Sequence, residues 1–109
     1  QDLTRLVQAW ASAWSRKDVK SYLAFYASNF QTPNGMPRKD WEEERKQRID
    51  KPGKLQVTVD DIKVSISGDT ATVRFRQQYT SATLKSSTSK TLILVKSDNK
   101  WLIQQERVG

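Results

Sequence analysis

Leu3, Leu6, Val7, Trp10, Ala13 and Trp14 recur at steps of three and four residues, which predicts an amphipathic helix with one broad apolar face, ending near Lys17. Asp18 is placed to cap a second, shorter helix in which Val19, Tyr22, Leu23 and Tyr26 share a face. Asn29 and the turn Pro33-Asn34-Gly35 then break the chain. Pro37 suits the first turn of a third helix, where its missing N–H would be unpaired in any case. In that helix Glu42, Glu43 and Glu44 come early and Arg45, Lys46, Arg48 and Lys51 late, as the helix dipole favours. Glu42 to Lys46 and Glu44 to Arg48 are spaced to pair across one turn, and Pro52-Gly53 stops the helix.

After Lys54 the period changes from helical to alternating, and turn signals divide the remainder into four strands. Gly68-Asp69 and Asp98-Asn99 read as two-residue hairpin loops. Thr80 to Thr91, in which 8 of 12 residues are Ser or Thr, reads as a third connection with a long, mobile tip. Leu55, Val57 and Val59 share one phase of the first strand and Ile62, Val64 and Ile66 the other, so a bulge is expected at Asp60-Asp61 to bend the strand and make the sheet concave. The second strand carries Ala71, Val73, Phe75, Gln77 and Tyr79 on one side and Thr72, Arg74, Arg76 and Gln78 on the other. The third is the apolar run Leu92 to Val95, and the fourth sets Trp101, Ile103 and Gln105 on one face, with Glu106 opposite. Helices first and an antiparallel meander second is an α+β pattern, the helices covering one face of the sheet.

The chain has 109 residues, enough for one domain and one core. It begins at Gln1 rather than Met, which points to a processed chain or a domain of something larger. No apolar run approaches a membrane span, so a soluble body without membrane insertion is expected. Nineteen Lys and Arg against twelve Asp and Glu give +7, spread over both halves of the chain, as expected of a solvated, mildly basic surface. With no Cys and no His, disulfides, thiolate nucleophiles, Ser-His-Asp triads and His or Cys metal sites are excluded, and neither metal nor cofactor is expected.

The spacing of Trp10, Trp14, Asp18, Tyr26 and Phe30, then Pro33 and Gly35, Trp41 with Arg48, Pro52, and strands ending in Lys100-Trp101 and Ile103 resembles the nuclear transport factor 2-like (SnoaL-like, cystatin-like) superfamily. More narrowly it is similar to the accessory domain found C-terminal to bacterial L,D-transpeptidase and tetratricopeptide-repeat proteins of the cell envelope. The resemblance implies a cone of three helices on a strongly curved four-stranded sheet, with a cavity at the wide end. The superfamily includes isomerases and dehydratases as well as binding and dimerisation modules. The narrower group implies a periplasmic or otherwise extracytoplasmic accessory role.

Trp41, Arg45 and Arg48 fall at i, i+4 and i+7, which puts an indole and two guanidinium groups on one face of the third helix, toward the sheet. Forks that cannot lose their charge suit a carboxylate, a phosphate or an acidic side chain. Tyr22 and Tyr26 from the second helix, Gln77 and Tyr79 from the second strand and Gln105 from the fourth complete a candidate ligand-binding set. The bland alternative is that these polar tips satisfy one another. Trp10 and Trp14 are assigned to packing. The function expected is a non-catalytic binding or interaction module for an anionic small molecule or a cell-wall fragment, paired as a homodimer through the convex or edge surface of its sheet or docked on a parent-protein domain.

The alternative is a small cone enzyme using a Tyr/Asp pair, with Tyr26 or Tyr79 as proton donor. Asp40, Asp60 and Asp61 are poorly placed as its base, and no inward carboxylate is expected. Specific nucleic-acid binding is not expected, because Arg74 and Arg76 make a basic stripe without rings.

Overall fold

The computed structural model describes residues 2–50 and 53–108. Three helices, α1 (Asp2–Ser15), α2 (Val19–Ala24) and α3 (Arg38–Ile49), precede four strands, β1 (Leu55–Ser67), β2 (Thr70–Ser81), β3 (Lys85–Ser97) and β4 (Lys100–Val108). The strands pair antiparallel in the order β1-β2-β3-β4, so the α+β class and the meander are as the alternation predicts.

The apolar stripe of α1 meets the inner face of the sheet. Leu3, Val7, Trp10, Ala13 and Trp14 are buried with Val57, Ala71, Val73, Phe75, Leu92, Leu94 and Ile103. Asp18 caps α2, its carboxylate accepting from the Ser21 N–H at 3.2 Å, which satisfies a donor that the helix start leaves unpaired. Pro37 sits one position earlier than expected, as the N-cap of α3, with extended backbone and a carbonyl that accepts from Trp41 N at 3.0 Å. Arg48 pairs with Glu44 at 3.2 Å. Glu42 turns back to Arg38 at 2.9 Å rather than forward to Lys46, because Arg38 is held beside it by the Ala27 carbonyl. Of the Pro52-Gly53 stop, Pro52 lies outside the described residues, as does Lys51.

The first bulge falls where the apolar phase flips. The β1–β2 pairing shifts between Asp60 and Lys63, and Asp61 has φ 53, a left-handed conformation that Asp adopts more readily than most residues. Val57 and Val59 before it, and Ile62 and Val64 after it, consequently all reach the core.

The Ser/Thr-rich segment corrects an expectation. It is not a long tip: β2 runs to Ser81 and β3 begins at Lys85, with Ser81 N donating to Leu84 O at 2.7 Å across the turn. Hydroxyl side chains sit well on a pleated strand, and here Gln77 faces Thr88 and Tyr79 faces Ser86.

Both outer strands have part of their edge engaged, β4 more than β1. The segment after α2 runs along β4, with Ala27 N donating to Ile103 O, Ile103 N to Phe25 O and Gln31 N to Gln104 O, each at 2.8 Å. On β1, the Ser15 hydroxyl accepts from Val57 N at 2.8 Å.

Candidate ligand site

Toward one end of the cone the inner face of the sheet turns polar. Val73 and Phe75 give way to Gln77 and Tyr79 along β2, while on β3 Leu94 and Leu92 are preceded by Lys90, Thr88 and Ser86 in the same phase. The pairings Phe75 with Lys90 and Gln77 with Thr88 set this boundary across two strands. A cavity of about 520 Å³ opens there, walled by Trp14, Arg45, Arg48, Gln77, Tyr79, Lys90 and Glu106 among others.

Glu106, like Lys90, was missed by sequence reasoning. Glu106 reaches the interior because the β3–β4 pairing shifts by one residue: Leu94 faces Ile103, but Ile93 faces Gln105 and the buried Leu92 faces Glu106. Gln104 is the extra residue of a second bulge. The phase that puts Ile103 inside would put Gln105 inside next; the bulge turns Gln105 outward, where its amide oxygen accepts from Arg107, and brings Glu106 in. An inward carboxylate therefore exists, and Gln105 is no part of the cavity wall.

Glu106 is held on all sides. Its Oε2 accepts from Lys90 Nζ at 2.7 Å and lies 3.8 Å from Arg45 Nη2, with the Glu106, Lys90 and Arg45 side chains 7%, 8% and 15% exposed. Its Oε1 accepts from the Tyr26 hydroxyl at 2.7 Å. That hydroxyl in turn accepts from Trp10 Nε1 at 3.1 Å and stands 3.0 Å from the Tyr22 hydroxyl. Since the single Tyr26 proton is given to Glu106, Tyr22 donates to Tyr26. Burial alone would raise the Glu106 carboxyl, but the charges of Lys90 and Arg45, with hydrogen bonds from Lys90 and Tyr26, outweigh it and hold the group below the ordinary 4.5. Burial, reinforced by Glu106, pushes both Tyr22 and Tyr26 above the usual tyrosine range, so both stay neutral donors.

The cations also lean on rings. Lys90 Nζ lies 5.5 Å from the Trp14 ring centre and 5.7 Å from that of Trp10, and the Arg45 guanidinium lies 5.7 Å from Trp41. Arg45 Nε and Gln77 Oε1 are buried without a hydrogen-bond partner in the protein, as is Trp41 Nε1.

The expected set is thus divided. Arg45, Arg48, Gln77 and Tyr79 line the cavity together. Trp41, Tyr22 and Tyr26 are buried beneath it in the core, with Tyr26 4.8 Å from both Phe30 and Trp41. Lys90, absent from that set, was signalled only by its phase with Leu92 and Leu94. Glu106 was signalled only by Val108, the one apolar residue in β4 after Ile103, which falls in the opposite phase. Asp40, Asp60 and Asp61 are all exposed, and among the described residues no three His, Cys, Asp or Glu side chains group to hold a metal ion.

Residues 2–107 match the family described as the Cds6 C-terminal NTF2-like domain. The chain belongs to that family. This NTF2-like domain is similar in structure to Bd1075 of Bdellovibrio bacteriovorus, with 28% identity and a TM-score of 0.89 over 100% of this chain and 40% of that one. It is also similar to a mutant of Pgp2, the helical cell shape determining protein of Campylobacter jejuni, with 18% identity and a TM-score of 0.85 over 96% of this chain and 39% of that one. An NTF2-like protein of unknown function from Pseudomonas putida shares 13% identity at a TM-score of 0.84, over 99% of this chain and 83% of that one. The domain spans about two fifths of the length of the first two proteins. No curated protein matches it.

Proposed function

We propose that this NTF2-like domain is a non-catalytic binding module that takes an anionic ligand into the cavity between α3 and the polar end of the sheet. The observation that carries this reading is the charge count of the wall: Arg45, Arg48 and Lys90 against Glu106 alone. Glu106 is already engaged through both oxygens. One positive charge is left over on the buried floor, while Arg48 at the rim, 61% exposed, shares its charge with Glu44 at 3.2 Å. Guanidinium and ammonium groups with low solvent exposure bind carboxylates or phosphates through charge-assisted hydrogen bonds.

The same contacts weigh against proton abstraction. A carboxylate held below its ordinary range by two cations is a weak base, and the Tyr26 proton is committed to it, whereas acid–base chemistry near neutral pH needs the opposite shifts. The Tyr/Asp pair is not assembled, since the acid that meets Tyr26 is Glu106.

The finer reading is an accessory domain of a bacterial cell-envelope protein, working extracytoplasmically on a carboxylate-bearing cell-wall fragment. It is supported by likeness to Pgp2, described as a cell shape determining protein, and by the domain spanning only part of that chain. Calorimetric titration with soluble muropeptides tests it. Arg48→Ala is expected to weaken binding roughly fivefold and Lys90→Met at least tenfold, for charge-assisted hydrogen bonds of this kind. Equal binding by both variants, or no binding by the unaltered domain, overturns it.

A further inference from the structure

Among the described residues three large apolar side chains stand exposed: Ile66, Leu84 at 56% and Val108 at 78%. Ile66 lies beside the β1–β2 turn. Leu84 and Val108 come from the β2–β3 turn and the end of β4, yet both line the cavity that holds Arg45, Lys90 and Glu106. Leu84 is not loose there, since its N–H donates to the Ser81 hydroxyl at 3.1 Å and its carbonyl accepts from Ser81 N at 2.7 Å. Beyond Tyr79 and Leu84 the cavity continues into a groove of about 150 Å³, which shares Arg48, Tyr79 and Leu84 with it and adds Ile49, Leu55 and Ala82 together with Lys17 and Lys54.

The wall therefore runs from a buried cationic floor to a lip on which Leu84 and Val108 stand exposed beside Arg48. Water at such a lip is displaced favourably only by apolar surface, while the floor rejects a ligand without negative charge. Resting on the anion-binding reading above, we propose that the ligand is amphiphilic: a carboxylate seated against Arg45 and Lys90, carrying an aliphatic portion that leaves across Leu84 and Val108. This narrows the ligand class, since a compact, fully hydrated dianion would use the floor and leave the lip uncovered.

A homologous series separates the two claims. Chemical-shift titrations of the 109-residue chain with acetate, butyrate, hexanoate and octanoate are expected to show affinity rising about twofold to fourfold per methylene, as partial to full burial of each group gives. Hexylammonium, with as many carbons and the opposite charge, is expected to bind at least tenfold more weakly than hexanoate. Leu84→Ser and Val108→Ser alter exposed side chains that the core does not use; each is expected to flatten the chain-length dependence while leaving acetate affinity unchanged. Acetate binding with no rise along the series, or a rise that survives both substitutions, overturns the amphiphile proposal and leaves the anion site standing. Failure of every carboxylate to bind removes both. Hexylammonium binding as well as hexanoate shows a lip without a charged floor, and overturns this proposal too.

Discussion

Glu106 concentrates the energetics of the domain in one carboxylate. Taking such a group out of water is costly, and Lys90, Arg45 and the Tyr26 hydroxyl offset that cost only while all remain in place. Glu106→Gln keeps an acceptor for Tyr26 but strands a buried ammonium, so it is expected to lower stability by on the order of 3 kcal/mol, read from the urea midpoint. Lys90→Met with Glu106→Leu removes both charges and is expected to recover much of that loss. The pH dependence has a definite sign. The folded-state carboxyl lies below the ordinary 4.5 of the unfolded chain, so its contribution is full above that value and is lost as pH falls below it toward the folded-state value. Denaturation below pH ~5 is expected to steepen in the unaltered domain relative to Glu106→Gln. At this scale Arg45, Arg48, Gln77 and Tyr79 were legible because their phases are fixed by apolar neighbours. Gln105 and Glu106 were not, because Gln104, Gln105 and Glu106 form a polar run that carries no phase of its own.

The two bulges show when an element can be read from its pattern. In β1 the apolar residues continue on both sides of Asp60-Asp61, so the flip is visible in the sequence. In β4 only Val108 follows, and one residue is a thin signal. The Ser/Thr-rich hairpin misleads for a related reason: composition suggested a loop, while the phase of Ser86, Thr88 and Lys90 continued the strand of Leu92 and Leu94. Asp61 offers a test of the β1 bulge independent of its charge. With φ 53, Asp61→Gly is expected to be neutral or slightly stabilising and Asp61→Val to cost about 1–2 kcal/mol, since a β-branched residue resists the left-handed region. Thermal unfolding of the two variants distinguishes them; equal midpoints would mean the bulge relaxes without that conformation.

Over the whole molecule the charge is unevenly used. Register puts Lys63, Arg74, Thr91 and Arg107 in one row across the outer face of the four strands, with Arg76 beside it, and none of the four cations forms an ion pair among the described residues. Such a face attracts polyanions without specificity, so retention on an immobilised polyanion is expected to vanish by ~0.2 M salt and to weaken with Arg74→Glu. It also burdens self-pairing through the convex surface, since a two-fold axis would bring like charges together, while the chain after α2 occupies the β4 edge at Ile103 and Gln104. Helix order, meander and the α1 core face were legible because each rests on a sustained period. The outer row was not, because it depends on register between strands that no single strand encodes.

Tyr26 is stapled to β4 through the hydrogen bonds of its neighbours Phe25 and Ala27 to Ile103, and Lys90 stands on the strand paired with β4. Phenol, carboxylate and ammonium therefore ride on one stiff backbone lattice. Arg45 alone is carried by a helix, at 3.8 Å from Glu106, and a small tilt of α3 would lengthen that gap while the other three groups kept their spacing. Any shift of that helix would thus be felt first at the guanidinium, the one jaw of the vice not fixed to the sheet.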